Sequence, residues 1–236
     1  MSNNQVDSVV LLSGGMDSTT ALALAVQEDV FSKVLAISFD YGQRHRTQEL
    51  SASRNIARHF GVERVLVDLT DLGNLLAGSA LTEREVDVPD GHYTDETMKV
   101  TVVPNRNAIM LSIAFGIARA RGATKVWAGI HSGDHAIYPD CREEFAQSFR
   151  TTMILANIDL EPSQRIYLAT PFIHMTKQQI VERGSWLGVP YELTYSCYKG
   201  ETYHCGTCGT CVERKEAFEL AKIGDPTDYA PTPAAV

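Results

Sequence analysis

The sequence predicts an α/β protein: a doubly wound, mostly parallel sheet of about five strands with helices on both faces, followed by a small helical appendage at the C-terminus. Three observations predict it. Short apolar runs alternate with longer segments of helical periodicity, a Gly-Gly turn separates the first run from the first helix, and a cysteine-rich segment follows the alternation. Val9–Leu12 is the first strand, and Asp17–Gln27, rich in Ala and Leu, the first helix. Val34–Phe39 is the second strand, and Thr47–Phe60 a helix stopped by Gly61. Arg64–Asp68 is the third strand. Ala108, Leu111, Phe115 and Ala118 share one face of a helix that leads into the fourth strand, Val126–Ile130. Phe145, Phe149 and Met153 mark a further helix, and Ile166–Ala169 is the fifth strand. Thr176 with Gln179 forms a capping box that opens another helix. The stretch 71–99 carries Gly73, Gly78, Pro89, Asp90 and Gly91 and breaks the rhythm. It is long for a connection, and so is either mobile or functional. The proline-rich tail from Asp225 is expected to lie outside the core. The division expected is residues 1–190 for the α/β domain and 191–236 for the C-terminal region.

Composition narrows the function. The chain has 236 residues and a formal net charge of −8, which argues against wrapping a phosphate backbone, since that needs a basic stripe. The apolar runs fall short of the ~20 residues a membrane helix requires. The N-terminal MSNNQVDS has neither a basic n-region nor an apolar h-region, so a cytoplasmic location is expected. Five cysteines is an odd count, ill suited to a disulfide framework, and in a reducing compartment clustered thiols bind metal rather than pair.

In a doubly wound sheet, ligands sit at the carboxyl ends of the strands. After the first strand the chain reads Leu12, Ser13, Gly14, Gly15, Met16, Asp17, Ser18, Thr19 and Thr20. Two glycines admit a ligand to the backbone, and the helix N-terminus offers free N–H groups and partial positive charge. Ser13 and Ser18 add hydroxyls, so the loop reads as a phosphate or pyrophosphate cradle, against the plainer reading of a tight turn capped by Asp17. It is neither a Walker loop nor GxGxxG. Near the C-terminus, Cys197, Cys205, Cys208 and Cys211 follow a C-x7-C-x2-C-x2-C pattern. Four thiolates so spaced suit one tetrahedral, structural Zn²⁺ per chain. Disulfides, an iron–sulfur cluster and a redox pair are the alternatives, and the reducing compartment and lack of other redox features count against them. His204 is a spare ligand candidate, expected beside the metal shell or exposed. Cys141 is a small hydrophobe outside the cluster.

SGGMDS, placed between a strand and a helix, resembles the SGGxDS signature of the PP-loop ATP pyrophosphatase superfamily, whose members activate a carboxylate or carbonyl oxygen with ATP. Taken with FDYGQRH, VPNRN, GIHSGD and YPDC, TPF followed by Thr176-Lys177, and TYSCY running into HCGTCGTC, the chain resembles the 7-cyano-7-deazaguanine synthase family of queuosine precursor biosynthesis from about Val9 to Tyr229. Two stretches depart from it: His135-Ala136-Ile137 stand where an aromatic and a glycine are expected, and 71–99 does not align.

The resemblance implies an ATP-dependent carbon–nitrogen ligase that converts 7-carboxy-7-deazaguanine and ammonia to the nitrile through an amide. It implies ATP as co-substrate, Mg²⁺, small-molecule substrates only, no nucleic acid or membrane partner, and a homodimer. Asp17 is the expected Mg²⁺ ligand, and Lys177 a cation facing the phosphates or else a solvated lysine. Arg106 is the expected bidentate partner of the substrate carboxylate or phosphate. Asp134 or Asp140 is placed to accept from the pyrimidine-ring N–H groups, Tyr41 or Phe39 to stack on a base, and Arg44 to gather positive charge for anionic substrates. The rivals are weaker. A tRNA-modifying relative needs a basic surface and a catalytic CxxC, a non-catalytic binding module has no reason to keep Asp17 and both glycines, and a glutamine-dependent synthetase needs a glutaminase domain.

Overall fold

Side-chain alternation along the central strand decides which helix packs where. The computed structural model describes residues 5–28, 33–76, 78–131 and 138–231. Its five strands, β1 (Ser8–Leu11), β2 (Val34–Asp40), β3 (Glu63–Asp68), β4 (Lys125–Trp127) and β5 (Tyr167–Ala169), form one parallel sheet in the order β3-β2-β1-β4-β5. Val9 and Val10 are neighbours in β1 and both fully buried, yet consecutive strand residues face opposite sides of a sheet. Val9, with Leu35, Ile37 and Phe39 of β2, packs against Leu111, Phe115 and Ala118 of α5 (Arg106–Arg121) and Phe149 of α6 (Glu143–Ala156). Val10, with Leu12 and Ala36, packs against Leu22 and Ala25 of α1 (Met16–Glu28) and Ala52 and Ile56 of α2 (Arg46–His59). The sheet is therefore covered on both faces, as expected, and its near-continuous apolar strands read as buried for that reason.

This strand order reverses between β1 and β4, and crevices open at such switch points. β4 is shorter than the expected Val126–Ile130, because residues 128–131 leave the ladder to line the crevice. Gly129 runs against the first turn of α1 so closely that a Cβ there would lie 2.8 Å from the Asp17 carbonyl. The expected capping box opens α7 (Lys177–Trp186): Gln179 N–H donates to Thr176 Oγ1 at 3.2 Å, and Thr176 N–H to Gln179 Oε1 at 2.9 Å.

The stretch 71–99 is packed. It contains α3 (Thr70–Leu75) and α4 (Asp95–Lys99), and Ser79, Ala80 and Leu81 are fully buried. The tail from Asp225 corrects the expectation that it lies outside the core. Asp225 pairs with Arg214, itself only 1% exposed, and accepts from the Tyr229 hydroxyl, while Ala230 N–H donates to the His204 carbonyl. Nor does the C-terminal region stand apart: Ala217 and Phe218 of α8 (Gly209–Ala221) share a core with Met16, Ala23, Val181 and Tyr191. Among the described residues, no helix is long and apolar enough to cross a membrane.

Candidate active site

One cavity of about 300 Å³ lies over the carboxyl ends of β1, β2 and β4, at the lower end of the usual small-molecule range. Its floor is the loop after β1. Ser13 N–H donates to Ser18 Oγ (3.2 Å), the two hydroxyls lie 3.0 Å apart, and Ser18 Oγ and Thr19 Oγ1 each donate to the Gly15 carbonyl. Gly14 has φ +97°, and a Cβ there would meet the Glu49 carbonyl at 2.7 Å, so only glycine lets the loop lie against α2. Asp17 sits in the first turn of α1 and accepts from Lys177 Nζ at 2.6 Å, with His131 Nε2 at 3.7 Å from the same oxygen. Burial opposes ionisation of Asp17, but Lys177 and His131 outweigh it and hold the carboxyl below its usual range. The other oxygen, Oδ1, is buried without a hydrogen-bond partner.

At the opposite wall, Arg106 opens α5. Burial works against its charge, and the hydroxyls of Tyr41 and Tyr198 more than offset this, so it stays a guanidinium. Its Nη1 donates to Tyr41 Oη at 3.3 Å, and among the described residues no carboxylate pairs with it. Tyr93, Tyr138 and Tyr198 complete an aromatic surround, their hydroxyls kept protonated by burial. Between Arg106 and the loop lie His45 and Glu49. Burial, with Arg106 assisting, pushes His45 down to about 3, so its imidazole is neutral. Burial raises Glu49 to about 7. Gln43 fixes the Glu49 side chain, taking Tyr41 N–H on Oε1 (2.9 Å) and donating from Nε2 to Phe39 O (3.1 Å) and Glu49 Oε2 (2.6 Å).

The four predicted cysteines converge, with all four sulfurs within 4.8 Å of one another. Cys205 to Cys211 is 3.9 Å and Cys208 to Cys197 is 4.0 Å. A tetrahedron of Zn–S bonds of 2.3 Å has edges of about 3.8 Å, whereas a disulfide needs about 2.05 Å, so the donor set fits zinc. Backbone N–H groups of Cys205, Thr207 and Cys208 point at these sulfurs. The cluster clamps the cavity wall. Thr207 and Lys199 both hold Asp90 at 2.6 Å, which pins 71–99 beside the Tyr93 that lines the cavity. His204 is neither a cysteine-cluster member nor exposed; its Nε2 accepts from Ser196 N–H at 2.9 Å.

The remaining predicted residues divide. Leu12, Ser13, Gly15, Met16, Asp17, Ser18, Tyr41, Phe39, Arg106 and Lys177 line the cavity, and the reading of Lys177 as a solvated surface lysine is set aside. Thr19 and Thr20 are fully buried and bonded back to the Gly15 and Met16 carbonyls, so their hydroxyls do not face the cavity. Arg44 also points elsewhere, donating to the carbonyls of Ala80, Glu83, Arg84 and Val86. Asp140 is turned from the cavity to accept Asn107 N–H at 2.9 Å, capping α5. Asp134 and the departing 135–137 lie outside the described residues. Cys141 lines the cavity, its thiol pushed up to about 11 by burial and Asp140. His45 and Glu49 were missed, although their i,i+4 spacing just after the second strand is a legible sign of one helix face.

Known proteins resemble the chain over nearly its whole length. A family model described as "Queuosine biosynthesis protein QueC" matches residues 7–222. A 7-cyano-7-deazaguanine synthase of Ruegeria pomeroyi is 52% identical over 224 residues, covering 94% of each chain. Another, of Sinorhizobium fredii, is 50% identical over 223 residues, covering 94% of this chain and 91% of that one. Among solved structures, a 4-thiouridine synthetase–RNA complex with bound ATP covers 95% of this chain and 47% of its own, with 19% identity and a TM-score of 0.50, a likeness of fold alone. The chain belongs to the QueC family of queuosine biosynthesis proteins.

Proposed function

We propose that this chain is an ATP-dependent carbon–nitrogen ligase that converts 7-carboxy-7-deazaguanine and ammonia to 7-cyano-7-deazaguanine, by way of the amide. Its relatives carry the name of that synthase across nearly the whole chain. The observation that carries the reading is the presence of Arg106, a guanidinium with no carboxylate partner among the described residues, in the same cavity as the phosphate-type loop. Such a cavity takes two anions at once: a polyphosphate and a carboxylate.

A carboxylate is a poor electrophile, so one of its oxygens must first become a leaving group on phosphorus. In this reading the loop N–H groups and the Ser13 and Ser18 hydroxyls hold the phosphates, and Lys177 stabilises charge that develops there. Arg106 holds the substrate carboxylate by its free donors, and Tyr41, with its neighbouring rings, packs on the flat heterocycle. Ammonia then displaces the phosphate to give the amide, and a second activation, of the amide oxygen, lets the nitrile form. The orphaned Asp17 Oδ1 fits a Mg²⁺ ligand; Mg²⁺, when bound, neutralises phosphate charge. Zinc on the four cysteines is structural, one per chain, and 191–236 acts as a zinc-held wall on the 1–190 domain. A cytoplasmic homodimer acting on small molecules, without nucleic acid or membrane, completes the proposal. Mass spectrometry of zinc-replete protein with 7-carboxy-7-deazaguanine, ATP, Mg²⁺ and ammonium should find amide and nitrile, and finding neither would reject the assignment.

A further inference from the structure

We propose that Glu49 takes the proton of an ammonium ion bound at the cavity wall, releasing ammonia beside the activated acyl carbon, with Gln43 positioning its carboxylate. This rests on the ligase reading above. At neutral pH the nitrogen source is overwhelmingly ammonium, which has no lone pair, so a ligase that draws on it needs a base within the site. Glu49 meets the requirements of place. Its side chain is 13% exposed and lines the cavity. Its backbone abuts Gly14 of the phosphate loop, and Arg106, the proposed carboxylate anchor, lines the same cavity near enough to act on its charge. In this proposal the leaving phosphate, the acyl carbon and the nitrogen source meet beside Glu49.

The surroundings suit a cation that must shed a proton. His45, 5% exposed, sets Nε2 at 3.5 Å from Glu49 Oε2, and its Nδ1 is buried without a partner, leaving one more acceptor for an N–H. Gln43, 1% exposed, spends both amide hydrogens on Phe39 O and Glu49 Oε2, so it holds the carboxylate and cannot serve as base itself. The charged groups that act on Glu49 are Arg106 of α5 and Asp40 of β2, of opposite sign, and His45 is neutral. Burial leaves the carboxyl near 7, where a base works best at physiological pH.

The step balances. Ammonium gives one proton to the Glu49 carboxylate, and the freed lone pair forms the bond to the acyl carbon. The carbon–oxygen bond to phosphate breaks, and the phosphate oxygen leaves with the electron pair. The adduct nitrogen's surplus proton goes to that phosphate, and Glu49 returns its own to solvent.

Glu49→Gln, assayed with two nucleophiles, tests this. Hydroxylamine is a free base at neutral pH and needs no deprotonation. In the variant, ammonium-dependent kcat/KM should fall by about 10²–10³-fold, while hydroxamate formation with hydroxylamine stays within a small factor of wild type. Glu49→Asp, which keeps a carboxylate, should regain part of the ammonium-dependent rate. Loss of both nucleophiles together, or equal ammonium-dependent rates in the Gln and Asp variants, would overturn the role. A wild-type protein that yields neither hydroxamate nor amide would instead bring down the ligase reading, and this inference with it.

Discussion

Lys177 and Asp17 show how far a residue's neighbours decide its work. Lys177 would lose charge on burial, yet Asp17 at 2.6 Å raises its pKa, and Lys177 with His131 lowers that of Asp17, so both stay ionised. Lys177→Ala should cost about 10²–10³-fold in kcat, read in steady-state kinetics, if the lysine meets charge developing on phosphate. A solvated lysine would leave kcat unchanged. Glu49 makes a prediction in stability. Its folded pKa is raised from 4.5 to about 7, so between those values the folded state binds the extra proton, and stability falls as pH rises through the window. Above the window, the buried carboxylate costs on the order of 3 kcal/mol. Glu49→Gln should therefore raise the melting temperature at pH 8 and change it little at pH 4, as measured by circular dichroism. An equal effect at both would mean that the carboxyl is not strained by burial.

At the scale of elements, Arg44 shows where a motif reading goes astray. Within FDYGQRH it looks like a cation for an anionic substrate, but its guanidinium grips four carbonyls of 79–86, a long-range contact with no periodicity to betray it. Arg44→Ala should lower the unfolding free energy by about 1–3 kcal/mol, as four carbonyls, most of them partly buried, lose their donors. Urea titration checks this, and a variant with wild-type stability but a raised substrate KM would restore the substrate role. The strands and long helices were legible because buried parallel strands and amphipathic helices write their periods into sequence. The loop 128–131 was not, since Val126 to Ile130 stays apolar while the chain leaves the ladder to line a crevice. Asp140 reads as an alternative to Asp134 on the substrate because a carboxylate at a strand end looks alike whether it binds a ligand or caps a helix. Glu49 gave little signal beyond its i,i+4 spacing from His45: what distinguishes it is burial, in a helix that packs closely on Gly14.

Across the whole molecule, the cysteine cluster does more than close a C-terminal knot. Cys197, Cys208 and Cys211 share a core with Val10 of the central strand and Leu12 just after it, and Asp90 ties the cluster to the segment that carries Tyr93. Metal analysis should find one Zn²⁺ per chain, and chelation should lower melting temperature and turnover together. Chelation that abolished turnover at an unchanged melting temperature would give zinc a catalytic role. The acidic chain, with net charge −8, gathers Lys177 and Arg106 at one cavity, where the proposed function assigns them the anionic substrates, with Arg44 spent elsewhere. Direct attack of that substrate carboxylate on ATP is the central claim, and oxygen transfer tests it most directly. With both carboxylate oxygens labelled as ¹⁸O, conversion to the nitrile should deliver one label to the phosphate-containing product of each activation. Label lost to water, with unlabelled phosphate-containing products, would contradict it.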